Sequence, residues 1–354
     1  MAWTEEQTKA FQMSNNEQLA ELNKTLKGID KNKLNLGIFC PGQAGDLITV
    51  LSFLKYSDTM YPYHNIIFFT NFPNADNLRF APISEVRPYP WAGNGLEIGT
   101  PDFYPLLCDN NNQLNKKLAS QYELTKDLDF GFFPTPWMVA PEKQDGIDYP
   151  NVSRHVFGIP DDFIWHPFLT WSDEEKEMVR SMMDCLPKGR KNILIENYCG
   201  SGQSAFWDEN ATRKIMKTCR DKLGSVNFIF ASHKSTGING SDIMNSIFFD
   251  DDGCIGLEKL TVRQAALAIN YCDFMVCLSS GISVATSAYG LKPVTKLQWC
   301  GSRKCSTVAL ATGRIELVEN DFKTREVAEK EFFGKLEEIL TGQSYSPDNT
   351  WRKY

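Results

Sequence analysis

The feature that most constrains the fold is a pattern that occurs in both halves of the sequence. An apolar run is followed by a turn of small residues and then by residues at helical spacing. In the first half the run Leu34–Cys40 precedes the turn 41–46, and apolar positions 47, 50, 51 and 54 follow. In the second half the run 274–278 precedes the turn 279–281. Strand, tight turn and helix in this order are the repeating unit of a parallel α/β sheet.

Further apolar runs with the character of strands alternate with helical patterns along the chain. Strands are predicted at 65–71, 84–89, 129–133, 192–198, 227–231, 246–249 and 294–297, and helices at 4–28, 113–126, 149–160, 172–183, 208–223, 261–271, 284–289 and 322–341. Two successive series of this kind predict an α/β fold with two Rossmann-like, doubly wound domains that face a central cleft. We expect an N-terminal helical extension over 1–33, an N-terminal domain over 34–175, a C-terminal domain over 176–320, and a C-terminal helix and tail over 321–354.

Composition narrows the class of protein. The formal net charge of −7 over 354 residues argues against a general polyanion binder such as a nucleic-acid-binding protein. The chain has no apolar run of about 18 residues, so no membrane span is expected, and its N-terminus lacks the basic-then-apolar pattern of a secretory signal. The ten cysteines include no CxxC pair. Reduced thiols and a cytoplasmic location are therefore expected, and four scattered histidines do not predict a metal site.

The second-half turn is a candidate anion site. A turn at 279–281 that opens a helix is expected to leave free backbone N–H groups, and the helix dipole there attracts anions such as phosphate. The hydroxyl groups of Ser279, Ser280 and Ser283 add further donors. An ordinary capped turn between strand and helix is the alternative.

The first-half turn offers a carboxylate. Gly42 and Gly45 do not complete the GxGxxG pattern, so the loop gives little support for a dinucleotide site. Asp46 falls in the first turn of the predicted helix, where it could pair with the helix dipole. Its functional alternative is a carboxylate at the carboxyl end of a parallel strand, where open α/β sheets place their ligands.

Three stretches carry a resemblance to a known family. Ala44–Ile48, leading into a helix, resembles the first loop of the heptosyltransferases, which are glycosyltransferases of the GT-B fold. Residues 192–207 resemble that family's strand, small-residue loop and following tryptophan, and residues 260–293 resemble its C-terminal turn with the flanking helices. The likeness covers most of residues 34–301 and marks a distant member.

The sequence departs from the family's pattern at three positions. Ser279 stands where the family's turn opens with an acidic residue, and Val284 stands in place of its later histidine. Ala205 and Phe206, rather than a basic residue, precede Trp207. Because these changes remove charge near the expected diphosphate, we consider Lys234, Arg263 and Lys296 as possible replacements.

The resemblance implies a hexosyl- or heptosyl-type glycosyltransferase, inverting and requiring neither metal nor another cofactor. It would move a sugar from a nucleotide-diphosphate sugar to a hydroxyl acceptor on a glycan, a lipid-glycan or a protein. Asp46 then corresponds to the general base. The residues expected to bind the donor are Gly45, Gly200, Ser201, Gly202, Ser204, Ser232, Lys234, Ser279, Ser280, Gly281 and Ser283.

Other functions on the same scaffold stay open. A nucleotide-sugar epimerase or hydrolase would need the donor but no acceptor. A catalytically inactive protein that binds nucleotide or glycan would keep the fold without the chemistry, and the missing charges keep this alternative open. The acidic run Asp250–Asp252 is expected to be a solvated turn rather than a metal-binding motif.

Overall fold

The computed structural model describes the greater part of the chain. The described residues are 16–40, 44–70, 74–88, 125–132, 156–160, 166–197, 209–231, 235–236, 242–243, 251–278, 280–300, 315–319 and 325–342. Within them the strands form two main parallel sheets, one from each half, and a small antiparallel pair.

The first sheet has the order β3-β2-β1-β4. Its strands are β1 (Leu34–Phe39), β2 (His64–Thr70), β3 (Glu85–Pro88) and β4 (Phe130–Phe132), and all pairings are parallel. The near-continuous apolar runs are explained by burial on both faces of the sheet, as is usual for parallel strands. The chain runs outward from β1 to β3 and returns on the other side of β1, so the strand order reverses between β1 and β4.

The second sheet has the order β12-β11-β10-β5-β6-β9. Its strands are β5 (Lys191–Ile195), β6 (Val226–Phe230), β9 (Cys254–Gly256), β10 (Phe274–Leu278), β11 (Thr295–Cys300) and β12 (Ile315–Glu319), while β7 (Ser235–Thr236) and β8 (Asp242–Ile243) form the antiparallel pair. All neighbours in the large sheet are parallel. The strand order reverses between β5 and β10.

Helices connect these strands. They are α1 (16–23), α2 (Ala44–Val50), α3 (Leu54–Met60), α4 (Asp173–Asp184), α5 (Glu209–Leu223), α6 (Val262–Ala266), α7 (Gly281–Ala285) and α8 (Arg325–Thr341), with 3-10 turns at Leu51–Phe53, Asn74–Leu78 and Leu267–Tyr271. The capping box predicted at the start of α4 is present, since the Glu175 backbone N–H donates to Ser172 Oγ at 3.3 Å. No described helix is long and apolar enough to cross a membrane.

The structure corrects several element predictions. The helix predicted at 284–289 begins at Gly281 and ends at Ala285, because Ser280 caps it from the preceding position. The helix predicted at 261–271 divides into α6 and a 3-10 turn. The short strand β9 was not predicted. The strand predicted at 246–249 and nearly all of the helix at 113–126 lie outside the described residues, and the domain bounds stay predictions.

The apolar core is shared between the halves. One cluster of buried side chains includes Leu36 and Ile38 of the first sheet together with Met275 and Cys277 of the second. A second cluster covers the other face of the large sheet, where the Trp299 and Phe332 rings lie 6.0 Å apart at their centroids. The two sheets are therefore packed through a continuous apolar interior rather than joined only by a linker.

Candidate functional site

The two turns singled out in the sequence contact each other. Gly45 lies in the first turn of α2 and Gly281 begins α7. A Cβ atom built on Gly281 would lie 3.3 Å from the Cβ of Ala44 and 3.3 Å from the backbone nitrogen of Gly45. The contact joins the carboxyl ends of β1 and β10. Each end lies next to the point where its sheet reverses strand order, which is where open α/β sheets bind ligands.

Asp46 lies one residue beyond this contact. It is the acidic residue in the first turn of α2 and is partly buried. Nearby, Tyr289 of the second half meets α3, with the Lys55 ammonium 4.0 Å from the Tyr289 ring centroid. The Tyr56 and Tyr289 hydroxyl oxygens are 3.5 Å apart. Asp46 is thus held on a first-half element that packs directly against the second half.

The hydroxyl groups of Ser280 and Ser283 form a helix cap. Ser280 Oγ accepts hydrogen bonds from the backbone N–H groups of Ile282 at 3.1 Å and Ser283 at 3.2 Å. In return, Ser283 Oγ accepts from the Ser280 backbone N–H at 3.0 Å. The expectation that the helix-start N–H groups are free is therefore wrong for these residues, because a capping box already satisfies them.

Glu196 is a residue of this region that the sequence analysis overlooked. It follows β5 directly. Its backbone N–H donates to the Val276 carbonyl at 2.9 Å, so Glu196 continues the pairing of β5 with β10 by one residue. Its side chain accepts a hydrogen bond from Ser280 Oγ. Among the described residues its buried Oε2 has no hydrogen-bond partner. Burial raises the pKa of Glu196 to about 8, against the lowering effects of Ser280, the Leu278 backbone and the Lys296 charge.

Lys296 of β11 lies beneath the same turn and is 2% exposed. Its Nζ donates to Ser287 Oγ at 2.7 Å, to Thr286 Oγ1 at 2.9 Å and to the Ser283 carbonyl at 3.3 Å. Burial lowers its pKa to about 8, opposed by Cys277 and Glu196. Its ammonium is enclosed and bonded within the protein, so Lys296 does not contact the donor directly, and its role as a replacement for the missing charge stays a prediction.

Gln298 completes the buried polar network. Its Nε2 donates to Ser283 Oγ at 3.2 Å and to the Leu278 carbonyl at 3.3 Å. Hydrogen bonds therefore link Glu196, Ser280, Ser283 and Gln298 in one continuous series from the end of β5 across the turn to β11, with the Ser280 backbone N–H as the donor to Ser283. Such a network fixes the turn in one geometry, since each partner constrains the next.

Arg263 is a structural residue rather than a donor-binding one. Its side chain is fully buried and binds both carboxylate oxygens of Glu175. It also donates to the carbonyl oxygens of Thr170 at 2.7 Å and Asp76 at 3.0 Å. Burial acts to raise the pKa of Glu175, but hydrogen bonds from Arg263 and Gln264 outweigh it and hold that pKa below its usual value. The predicted role of Arg263 beside a diphosphate is therefore wrong.

Several predicted residues lie outside the described part of the chain. They are Gly200, Ser201, Gly202, Ser204, Ser232, Lys234 and Ser279, and their roles stay predictions. Of the acidic run, Asp251 and Asp252 are described, and they pair with Arg220 at 3.5 Å and Arg190 at 2.6 Å on the surface. In the ranges that the structure describes, no group of three or more His, Cys, Asp or Glu side chains could hold a metal ion.

Two doubly wound parallel sheets whose carboxyl ends meet define a two-domain, Rossmann-like fold of the GT-B type. Comparison with solved structures supports this fold assignment. The glycosyl transferase family 9 protein from Veillonella parvula DSM 2008 superposes with a TM-score of 0.59 at 12% identity, covering 90% of this chain and 100% of that one. ADP-heptose LPS heptosyltransferase II from E. coli has a TM-score of 0.50 at 16% identity, covering 88% of this chain and 100% of that one. No protein-family profile and no curated protein sequence matches the chain.

These matches confirm the predicted fold class and the distant likeness to the heptosyltransferases at the level of the fold. They also correct one prediction. TibC from enterotoxigenic E. coli H10407, matched at 12% identity with a TM-score of 0.48 over 83% of this chain and 64% of that one, is described as an iron-containing dodecameric glycosyltransferase. The prediction that neither a metal nor another cofactor is required is therefore wrong as an inference from this fold, because the matched structures include a protein with iron.

Proposed function

We propose that the protein is a glycosyltransferase that moves a sugar from a nucleotide-diphosphate sugar to a hydroxyl group of an acceptor. The observation that carries the proposal is the contact between Gly45 and Gly281, which sets the turn bearing Asp46 against the turn after β10. Ligands of open α/β sheets bind at such positions. A heptosyltransferase named for ADP-heptose is among the fold's neighbours and supports this class of donor.

Asp46 acts as the general base in the proposed reaction. It takes the proton of the acceptor hydroxyl as that oxygen attacks the anomeric carbon of the sugar. The bond from the anomeric carbon to the phosphate oxygen breaks, its electron pair stays on the leaving nucleoside diphosphate, and the anomeric configuration inverts. The acceptor must lie in line with the breaking bond, so Asp46 and the donor-binding turn must face the same cleft.

The second half stabilises the leaving group. The proposed donor-binding residues are Gly45 of the first half and, from the second half, Gly200, Ser201, Gly202, Ser204, Ser232, Lys234, Ser279 and Gly281. Ser280 and Ser283 hold the turn in shape, because their side chains are bonded within it. Donors placed where negative charge develops lower the barrier most when they are fixed before the reaction.

The first experiment is thermal unfolding with ADP, GDP, UDP and CDP and their sugars. A ligand present at about 100 times its dissociation constant adds roughly 2.7 kcal/mol to the free energy of unfolding, which is a shift of a few degrees for a chain of this size. A shift with one nucleoside diphosphate would identify the donor. No shift with any of them, in a folded sample, would contradict the proposal.

The second experiment tests Asp46 with donor sugar and a panel of hydroxyl acceptors. Asp46→Asn should keep the thermal shift and lose turnover by about 10²–10⁴-fold, since it removes the base and leaves nucleotide binding unchanged. Asp58→Asn is the matched control, because Asp58 lies on α3 in the same half and its side chain is 85% exposed. Full turnover in Asp46→Asn would remove Asp46 from the mechanism.

A non-catalytic binding protein is the second candidate. It is favoured by the finding that the hydroxyl groups of Ser280 and Ser283 are used within the turn. This candidate predicts a thermal shift with nucleotide but no release of nucleoside diphosphate from any donor sugar. An epimerase or hydrolase would instead turn over the donor in the absence of any acceptor.

A further inference from the structure

We propose that Glu196 is a donor-binding residue whose carboxylic acid, through Oε2, donates a hydrogen bond to an oxygen of the nucleotide's diphosphate. The inference rests on the proposed function and adds to it a contact that comes from the end of β5 rather than from the turn after β10. The ligand it requires is an anionic oxygen at the position where the large sheet reverses its strand order.

The hydrogen bonds of Ser280 determine which oxygen of Glu196 can carry a proton. A serine hydroxyl has one proton and two lone pairs. Two backbone N–H groups, those of Ile282 and Ser283, use the lone pairs of Ser280 Oγ at 3.1 and 3.2 Å. The single proton of Ser280 therefore goes to Glu196 Oε1, which must accept it. An acid proton on Glu196 is therefore favoured on Oε2, because the carbonyl oxygen of a carboxylic acid accepts a hydrogen bond better than its O–H oxygen.

The surroundings of Glu196 favour the acid form. The residue is 1% exposed, and a carboxylate taken out of water needs compensating partners to stay ionised. Ser280 supplies one hydrogen bond and the Leu278 backbone also stabilises the ionised form, but Oε2 has no hydrogen-bond partner among the described residues. Consistent with this, burial raises the pKa of Glu196 to about 8. At neutral pH the group is therefore mainly a carboxylic acid whose O–H lacks a described acceptor, and a ligand oxygen would supply one.

The ammonium group of Lys296 adds positive charge near Glu196. Its ammonium has three N–H donors, and three acceptors surround it, those of Ser283, Thr286 and Ser287. A fully bonded ammonium and a neutral Glu196 leave one positive charge beneath the turn, in a medium where charges are weakly screened. A diphosphate bound above the turn gains from this charge without touching Lys296.

The arrangement predicts a dependence on pH. Lys296 is the charged group that acts on Glu196, and Glu196 and Cys277 are the groups that act on Lys296. As the pH rises through about 8, Glu196 loses its proton and Lys296 loses its charge, so the buried charge changes from positive to negative. Both the hydrogen bond and the attraction to the diphosphate are then lost.

Infrared difference spectroscopy tests the contact directly. The probe is whichever of ADP, GDP, UDP and CDP raises the unfolding temperature of the full chain most. The C=O stretch of protonated Glu196 is identified at neutral pH as the band missing in Glu196→Gln and present in Glu177→Gln, an exposed control on α4. We expect the band to move when the nucleotide is added, because its O–H gains an acceptor. If Glu196 only braces the turn, the band stays in place.

Affinity measured by titration calorimetry gives the second readout. Between about pH 7 and pH 9 the acid fraction of a group with a pKa near 8 falls about tenfold, so the wild-type dissociation constant should rise by at least that factor. Glu196→Gln keeps an N–H donor and cannot ionise, so its rise should be about tenfold smaller. Because the nucleotide titrates equally in both proteins, the comparison isolates the protein's contribution.

The outcomes separate the two proposals. If a nucleotide binds the wild type but the Glu196 band is absent or does not move, the role of Glu196 is overturned and the proposed function stands. If no nucleotide binds the wild type, both are overturned. Should Glu196→Gln fail to fold, the band is assigned from its pH titration in the wild type and its displacement in Glu196→Asp, so the contact is still tested.

Discussion

Gly281 approaches Gly45 so closely that a methyl group at position 281 would lie 3.3 Å from the Gly45 backbone nitrogen. The two residues are 236 positions apart in sequence and belong to turns of different halves. Their contact sets the distance between the base proposed in one half and the donor turn proposed in the other. The predictions that follow test how that arrangement is maintained.

The glycine contact predicts unequal effects of two alanine substitutions. Gly281→Ala should lower the free energy of unfolding by about 1–3 kcal/mol, because the new methyl group meets Ala44 and the Gly45 backbone and the halves must separate slightly. Gly45→Ala is the matched control, since its Cβ would lie 3.5 Å from the Gly281 Cα, which is ordinary contact. Denaturant unfolding measures both. Equal losses in the two variants would contradict the packing argument.

The Glu175–Arg263 pair predicts a large cost when one partner is removed. Glu175→Gln should destabilise the chain by about 3–5 kcal/mol, because it removes the carboxylate that binds the fully buried Arg263 guanidinium through both oxygens and leaves only the Asp76 carboxylate, 3.5 Å away. Glu177→Gln, on the same helix, removes an exposed partner of Arg180 and should leave the unfolding midpoint nearly unchanged. A midpoint for Glu175→Gln equal to that of Glu177→Gln would show that the buried pair contributes nothing to stability.

Two equivalent helix caps allow Ser280 to be tested. Thr261 caps α6 through the Gln264 backbone N–H at 3.3 Å, and its replacement by alanine should cost about 1 kcal/mol. Ser280→Ala removes a similar cap and also leaves Glu196 Oε1 without its donor, which adds about 1–3 kcal/mol. Urea unfolding of the two variants should therefore differ. An equal loss would mean that the bond to Glu196 contributes nothing to stability.

Glu196 predicts how stability depends on pH. Its pKa in the folded chain is about 8, well above the usual carboxyl value, so the folded chain keeps a proton that the unfolded chain releases. The stability from this group is therefore complete below the usual carboxyl pKa and is lost as the pH rises through about 8. Glu196→Gln cannot titrate, so its unfolding temperature should fall less than that of the wild type between about pH 5 and pH 8. Parallel curves for the two proteins would contradict a raised pKa.

Most strands could be predicted from the sequence, because a strand that is buried on both faces is encoded by a continuous apolar run. The run 274–278 is apolar at every position, and β10 has the same bounds. The start of α7 was predicted three residues late, because Gly281 and Ile282 belong to the helix only once Ser280 caps them. The strand β9 has only three residues and no periodicity that a sequence pattern could show.

The site was less predictable because its key contacts join distant positions. Glu196 lies within the strand predicted at 192–198, and its partner Ser280 is 84 positions away, so the sequence does not show that the two side chains meet. Arg263 and Glu175 are 88 positions apart, so nothing near Arg263 indicates that its charge is already used. A signal was available for Glu196 alone: a single carboxylate within an apolar run that ends at the carboxyl edge of a parallel strand.

The apolar cluster that runs through both sheets has a consequence for the chain as a whole. Because Leu36 and Ile38 share one interior with Met275 and Cys277, neither half can lose its packing without exposing apolar surface of the other. Either half produced alone would expose apolar side chains that are buried against the other half in the intact chain. The protein should therefore melt in one cooperative transition, and a cut between the sheets should leave two fragments that stay associated.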